Sequence, residues 1–458
     1  MSEREPPGEA RGMGRRDFLA STAAAGAGVL LGRAAASEDP SPRASGFDDL
    51  NVALIGLGAQ GMVLMDACLR IPGIRFKAVC DIWSYSQQRG SRTLKRYGHL
   101  VNVYEDYREM LAQESDLDAA IVATPDWMHA EHALACMKAG LHVYCEKEMS
   151  NSAEKARQMA LTARKTGKLL QIGHQRRSNP RYVHAIDRMI RTERLLGRVT
   201  QAYGQWNRAV SEDLGWPKNH VIDQETLEKY GYESMHHFRN WRWYRKYGGG
   251  PIVDLGSHQI DIFSWALDAR PKSVMAGGGV DYFPHHEWYD NVMAIFEYDT
   301  ASGVSRGLYQ VLTTTSNGGF FESFMGENGA LVISEVPYRG NHFLRENHVP
   351  QSEWEKLAQQ RLLLKAEEEQ TVAEPTDDII VDVRVTVPLG AWSIPVELNK
   401  PVHQPHLENF FDAIRRGVPL NCPPEMGYET AVAVLRVNDA VESQQRLEFT
   451  PQDFVISA

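Results

Sequence analysis

A chain of 458 residues is long for one ordinary domain, and 43% hydrophobic with 24% charged residues is the composition of a soluble globular protein. A formal net charge of -10 argues against nucleic acid or an anionic membrane surface as a partner. The five cysteines (Cys68, Cys80, Cys136, Cys145 and Cys422) are scattered through apolar patterns, with neither metal-ligand spacing nor a disulfide framework.

The first element in the chain is an address. Gly14-Arg15-Arg16-Asp17-Phe18-Leu19 precedes a short alanine- and glycine-rich run from Ala20 to Leu31, and Ala34-Ala35-Ala36 follows. A charged start, a brief apolar segment and a small-residue site make residues 1–36 an expected export signal, too short for a stable membrane span. The arginine pair before Phe18-Leu19 gives it the twin-arginine form. That route carries folded proteins. A periplasmic or extracellular destination is therefore expected, with any cofactor loaded beforehand and no membrane contact beyond export. Residues 37–50, with Pro40, Ser41, Pro42, Ser45 and Gly46, read as a linker.

From Asn51 the pattern alternates strand and helix. Strands are predicted near 51–57, 75–80, 118–124, 141–145 and 169–173, and helices near 60–70, 84–97, 104–113, 128–139 and 152–166. Such alternation implies a parallel sheet covered on both faces, with ligands bound at the carboxyl ends of its strands. The first strand runs into Gly56-Leu57-Gly58-Ala59-Gln60-Gly61 and then a helical pattern, which is the context that makes Gly-x-Gly-x-x-Gly a dinucleotide site. Gly56 permits the tight turn, Gly58 lets backbone approach a pyrophosphate, and Gly61 lets helix and strand pack closely. Ala59 and Gln60 lie at the helix N-terminus, where free N–H groups favour phosphate. The second strand ends at Asp81, whose carboxylate suits a ribose hydroxyl and repels a 2′-phosphate, so NAD is expected over NADP. Thr124-Pro125, His129 and Glu146-Lys147 fall at later strand ends and complete the expected cofactor contacts.

Residues 51–175 therefore form one expected domain and 176–458 a second α/β domain. Its strand-like segments (199–206, 273–281, 291–298, 304–312 and 331–334) have an antiparallel character. Residues 336–400 carry a charged helix near 353–369, and amphipathic helices near 405–416 and 427–444 close the chain, with Asn409, Phe410, Ile414 and Val432–Val437 facing inward.

Three groups carry chemistry. Lys147, at the end of a buried strand, can hydrogen-bond a reacting hydroxyl and stabilise an alkoxide. A helix opening at Pro251 would set Asp254 and His258 at i and i+4 on one face, with His258 able to accept a hydroxyl proton and Asp261 able to orient its ring. The third is an aromatic and basic stretch: Trp206, Trp241, Trp243 and Tyr244 with His236, His237, Arg239 and Arg245. Arg176, Trp241 and Tyr244 are the candidate substrate contacts. His285-His286 and His403/His406 lack acidic or cysteine partners at metal spacing, and no metal is expected.

With these motifs the chain resembles the Gfo/Idh/MocA family, the glucose–fructose oxidoreductase and inositol dehydrogenase group, over nearly all of its length from Asn51, apart from a longer insertion near 336–400. The resemblance implies a Rossmann domain followed by an α/β domain with an open, mostly antiparallel sheet that mediates oligomerisation, as a homodimer or homotetramer. It also implies NAD(P) chemistry on sugars and polyols. The family's Glu-Lys-Pro motif falls on Glu146-Lys147-Glu148, and its Asp-x-x-x-His pair on Asp254 and His258. That makes Lys147 the substrate-binding lysine, His258 the proton-transfer residue, and Asp254 the group that holds substrate or tunes Lys147. Glu148 departs from the pattern. Proline there lowers the cost of a cis peptide, which is about 2.5–4 kcal/mol for other residues. Glu148 therefore argues for a trans or a strained bond. Its carboxylate is also expected to favour the charged form of Lys147, which leaves His258 as the base.

The leading expectation is an exported NAD-dependent oxidoreductase acting on a sugar or polyol hydroxyl. Reduced cofactor does not readily exchange outside the cytoplasm, so the alternative is an NAD-retaining glycosidase or lyase. There, transient oxidation of a sugar carbon acidifies a neighbouring C–H, elimination cleaves the glycosidic bond, and the hydride returns. A sugar-binding protein that merely keeps NAD is the third class.

Overall fold

The computed structural model describes residues 49–366 and 389–457. The export signal, most of the linker and part of the 336–400 insertion lie outside the described residues.

The first domain is a six-stranded parallel sheet with strand order 3-2-1-4-5-6. Its elements are β1 (Leu50–Ile55), α1 (Ala59–Cys68), β2 (Ile74–Cys80), α2 (Ser84–Arg96), β3 (Asn102–Tyr104), α3 (Tyr107–Gln113), β4 (Ala119–Val122), α4 (Asp126–Lys138), β5 (His142–Cys145), α5 (Ala153–Thr166) and β6 (Leu170–Ile172). The β1 and β4 side chains from Val52 to Ile55 and Ala119 to Val122 are at most 2% exposed. A strand buried on both faces must be apolar throughout, which is why these runs were legible as strands. The order reverses between β1 and β4, and the crevice at their carboxyl ends is where such sheets bind ligands.

The second domain is built on a ten-stranded sheet. Its strands are β7 (Val199–Asn207), β8 (Pro271–Gly279), β9 (Asn291–Thr300), β10 (Gly303–Leu312), β11 (Phe320–Gly326), β12 (Gly329–Ile333), β13 (His342–Arg345), β14 (Leu364–Lys365), β15 (Gly390–Ser393) and β16 (Leu447–Glu448). Among the described residues β7 and β10 pair in parallel and the other neighbours are antiparallel. One face is covered by the helix α6 (Ser257–Leu267), whose Phe263 packs on Phe324 at 6.1 Å between ring centroids. The insertion extends the sheet edge: β13 and β15 pair, and a helix at Gln351–Gln359, shorter than expected, buries Trp354 against Trp392.

The last two helices return to the first domain. α7 (Gln404–Arg416) sets Leu407, Phe410 and Phe411 into the core beside Leu64 and Met65, and each buried aromatic contributes about 1.5–3 kcal/mol. α8 (Pro424–Ser443) packs between α5 and β8. Asn409 does not pack inward as expected; its amide donates to Pro419 O and accepts from Asn421 N, holding the turn after α7. All five cysteines are buried and free.

Candidate active site

The glycine turn follows from steric exclusion. Gly56 has φ +94°, and a Cβ there would lie 2.6 Å from Ala123 O; one at Gly61 would lie 1.9 Å from Gly56 O. Gly58 is different, since a Cβ built there meets nothing within 4 Å. Its glycine answers to no protein neighbour. The space lies before α1, whose N-cap Gly58 offers no side-chain cap to the N–H groups of the first turn. Open room plus unsatisfied donors is the cradle a pyrophosphate fits. Asp81 closes the turn from below: Oδ2 accepts from Leu57 N at 2.7 Å and Oδ1 from Trp83 N at 2.8 Å. Burial pushes its pKa up to about 6 despite those bonds.

Lys147 follows β5. Its ammonium donates to the Asp254 backbone carbonyl and stands 3.8 Å from Asp254 Oδ1. The Lys147–Glu148 peptide is cis. Glu146 is 4% exposed, accepting from Gln60 Nε2 at 3.1 Å and from Lys147 N at 3.2 Å. Gln60 Nε2 also lies 3.0 Å from His403 Nε2. His129 sits behind the site, its ring nitrogens 2.7 Å from the carbonyl oxygens of Thr124 and Glu148. It ties the β4 and β5 ends together through their backbones. Thr124 Oγ1 lies 3.0 Å from His132 Nδ1.

Glu148 is not the counterion of Lys147 that the sequence suggested. Its side chain is fully buried, accepts from Met149 N, and burial pushes its pKa up to about 8, so at neutral pH it is largely uncharged. Asp254 takes that part. Burial alone would raise its pKa, but Arg242, Lys147 and Arg208 hold it well below the ordinary range. Arg242 Nε donates to Oδ1 at 3.0 Å, and Arg208 Nη1 lies 3.8 Å from Oδ2. Asp126, at the start of α4, is a second buried carboxyl in this field, and burial pushes it up to about 7.

The helix carrying Asp254 and His258 opens as a wide π-type turn at Ile252–Gly256 before α6. His258 is 8% exposed, 5.4 Å from the Trp206 ring, with Nδ1 unpartnered. Burial and then the Lys147 charge keep it well below its ordinary pKa, hence neutral. Asp261 does not orient it. That carboxylate is taken by Arg177 at 2.7 Å and Thr430 at 2.9 Å, because one turn further on the helix faces α8.

The substrate candidates separate. Arg176 is 1% exposed, bound to Glu322 and Glu335 and flanked by Tyr182, Trp206 and Phe320, which makes it a buried tie within the second domain rather than a cleft residue. Trp241 is half-buried beneath the Arg242 guanidinium, 4.3 Å from its ring centroid. The Tyr244 hydroxyl donates to or accepts from His236 Nδ1 at 2.8 Å. Much of the aromatic stretch packs over the end of β2: Tyr232, Met235 and Tyr247 form one cluster with Trp83 and Ile222, and Arg239 lies 4.9 Å above the Trp83 ring. Arg208 and Arg242 escaped sequence reading. Nothing local marks either one, and only the fold brings both to Asp254.

Residues 50–174 match the family described as oxidoreductase family, NAD-binding Rossmann fold, and residues 183–331 match the GFO/IDH/MocA C-terminal domain. The class that fold and site define is therefore a two-domain oxidoreductase with an NAD-binding Rossmann domain. The chain belongs to the GFO/IDH/MocA family. It is similar to D-glucoside 3-dehydrogenase of Escherichia coli (31% identity over 221 residues, 48% of this chain and 54% of that protein). It is also similar to a glycosyl hydrolase family 109 protein of Saccharopolyspora erythraea (32% over 169 residues, 33% and 37%). The chain thus spans about half or less of the length of these relatives. The structure of levoglucosan dehydrogenase, in complex with NADH and L-sorbose, shares the fold at a TM-score of 0.63 and 18% identity, covering 88% of this chain and 99% of that one.

Proposed function

We propose that this protein is an exported oxidoreductase that transfers hydride between a hydroxyl-bearing carbon of a sugar or polyol and tightly held NAD. The observation that carries the reading is the Lys147 ammonium fixed on Asp254 beside a neutral, buried His258.

The residues fit the cofactor. Gly58 and the free N–H groups of Ala59, Gln60 and Gly61 would hold its pyrophosphate, and Asp81 a ribose. Thr124, Pro125 and Glu146 line the later strand ends. Bound NAD supplies hydride acceptance or donation. Lys147 donates to the substrate oxygen and stabilises negative charge there as the C–H bond breaks; one such donor is worth about 2.7–4 kcal/mol. His258, neutral at pH 7, accepts the hydroxyl proton, a contribution of about 10²–10⁴-fold. Asp254, ionised, fixes the ammonium so that it meets substrate already aimed.

Retention of the cofactor is supported by the aromatic cluster over the end of β2, where Trp83 Nε1 donates to His220 O at 2.6 Å and roofs the Asp81 side of the cleft. Export is supported by the Arg15-Arg16 segment, and buried free cysteines suit folding in a reducing compartment first. An oligomer is supported by the uncovered sheet face, where Met275, Met293 and Ile295 are 49%, 52% and 42% exposed and Met275 pairs with Ile295 across strands.

Similarity to a family 109 glycosyl hydrolase favours a second reading, in which transient oxidation of a sugar carbon serves cleavage of a glycoside. Mixing the protein as isolated with free sugars and aryl glycosides separates the two. Lasting absorbance at 340 nm marks the oxidoreductase, and aglycone release without net absorbance marks the glycosidase.

A further inference from the structure

The charge around Asp254 is out of balance. Among the described residues the Arg208 guanidinium makes no hydrogen bond, and its contact with Asp254 is a 3.8 Å ion pair. Arg242 uses Nε on Asp254, and both its terminal nitrogens have no acceptor among the described residues. Their side chains are 52% and 40% exposed, so the unused donors face open space rather than the core. With Lys147 there are three cations against one ionised carboxylate, Asp254. Asp126, the other carboxyl acting on Arg242 and Lys147, is raised by burial to about 7 and so offsets them less than a free carboxylate would.

Both arginines line one small cavity of about 40 Å³, together with Ser211, Trp243, Asp254 and Thr313. A single water needs about 10–15 Å³ of such space, so the cleft takes a group of a few atoms rather than a sugar ring. Two planar forks with the Ser211 hydroxyl beside them match the flat, bidentate shape of a carboxylate.

Resting on the sugar oxidoreductase reading above, we propose that the sugar carries a carboxylate, seated between Arg208 and Arg242 while Lys147 holds the reacting hydroxyl on the other side of Asp254. The ligand class is a uronic acid or uronide. A carboxylate lowers the positive excess, and its planar two-oxygen head asks less room of this small cleft than the tetrahedral oxygens of a phosphate monoester.

The test is calorimetric titration of the NAD-loaded protein with matched pairs: methyl β-D-glucuronide against methyl β-D-glucoside, and methyl α-D-galacturonide against methyl α-D-galactoside. Glucose 6-phosphate serves as the phosphate arm. In at least one pair the acid is expected to bind about tenfold or more tightly, the gain of a charge-assisted fork, and to lose that lead as salt rises. Arg208→Gln brings the acid-to-neutral ratio toward one, and Arg208→Lys, which keeps charge without the fork, restores part of it. No acid preference in either pair overturns the proposal, as does tighter binding of the phosphate, or a preference that survives Arg208→Gln. Binding requires no hydride transfer, so the two readings fail separately. An acid preference with no 340 nm signal from any sugar sinks the oxidoreductase reading alone; turnover of neutral sugars without acid preference sinks this one alone.

Discussion

The Lys147 ammonium is anchored twice on one residue, donating to the Asp254 backbone carbonyl and standing 3.8 Å from the Asp254 carboxylate. Lysine is a flexible point charge that loses rotamer freedom when held, and a fixed partner removes that cost before substrate arrives. The same carboxylate holds Arg242 at 3.0 Å. One acidic side chain thus positions both the proposed donor to the reacting oxygen and one half of a basic pair.

Lys147→Met keeps the stem and removes the charge. It is expected to lower kcat by about 10²–10³-fold, the loss of one transition-state donor, while bound nucleotide is retained. Single-turnover absorbance at 340 nm and nucleotide content checked together decide this; loss of both would mean that Lys147 holds the fold or the cofactor instead.

Gly58→Ala and Gly61→Ala separate a ligand cradle from a structural turn. At Gly61 the added Cβ collides with Gly56 O, so folding suffers. At Gly58 it meets no protein atom, so the melting temperature without NAD should hold while NAD affinity drops about tenfold or more. Unchanged NAD affinity in Gly58→Ala would place the pyrophosphate elsewhere.

His258 sits below its ordinary value of 6.5, so its neutral, proton-accepting form persists on the acid side of that value. The acid limb of kcat/KM is expected to fall below pH 6.5, and His258→Ala to remove that limb with a loss of about 10²–10⁴-fold. A limb unmoved by the substitution assigns the base to another group.

Stability should peak near neutrality. Burial lowers His129 and His174 to about 4, and His132 and His406 to about 3. Below pH 6.5 the unfolded chain takes up protons that these folded rings refuse, so stability falls as pH falls. Asp126 and Glu148 are raised to about 7 and 8, so above their ordinary values the folded chain is the better proton binder. Their cost grows as pH rises toward 7 and 8, and the melting temperature declines on that side too. Glu148→Gln abolishes the Glu148 share, and at pH 9 should stabilise the fold by about 1–3 kcal/mol. Equal melting of wild type and Glu148→Gln at pH 9 would contradict the buried, largely neutral Glu148.

What the sequence disclosed follows from where each signal resides. β1 and β4 are apolar because both sheet faces are covered there, whereas β2 keeps Arg75 exposed and was legible from its apolar second half. β3 escaped notice because it is a three-residue edge strand with Asn102 and Val103 exposed. β11 escaped because Glu322 interrupts its apolar run, and only the buried partner Arg176, 146 residues earlier, explains a carboxylate there. Lys147, Asp254 and His258 stand in local motifs and could be singled out. The roles of Glu148 and Asp261 depended on what packs around them, and the pairing of Arg208 with Arg242 on a π-type turn that no spacing rule anticipates.

In the proposed mechanism one cleft holds NAD, which takes the hydride, while Lys147 stabilises the oxygen of the sugar hydroxyl being oxidised. The most direct measurement is rapid mixing of the NAD-loaded protein with neutral and acidic sugars, followed at 340 nm over a single turnover. An absorbance rise stoichiometric with bound NAD is expected in wild type, and none in Lys147→Met. No rise with any sugar, or an equal rise in both proteins, would contradict the account.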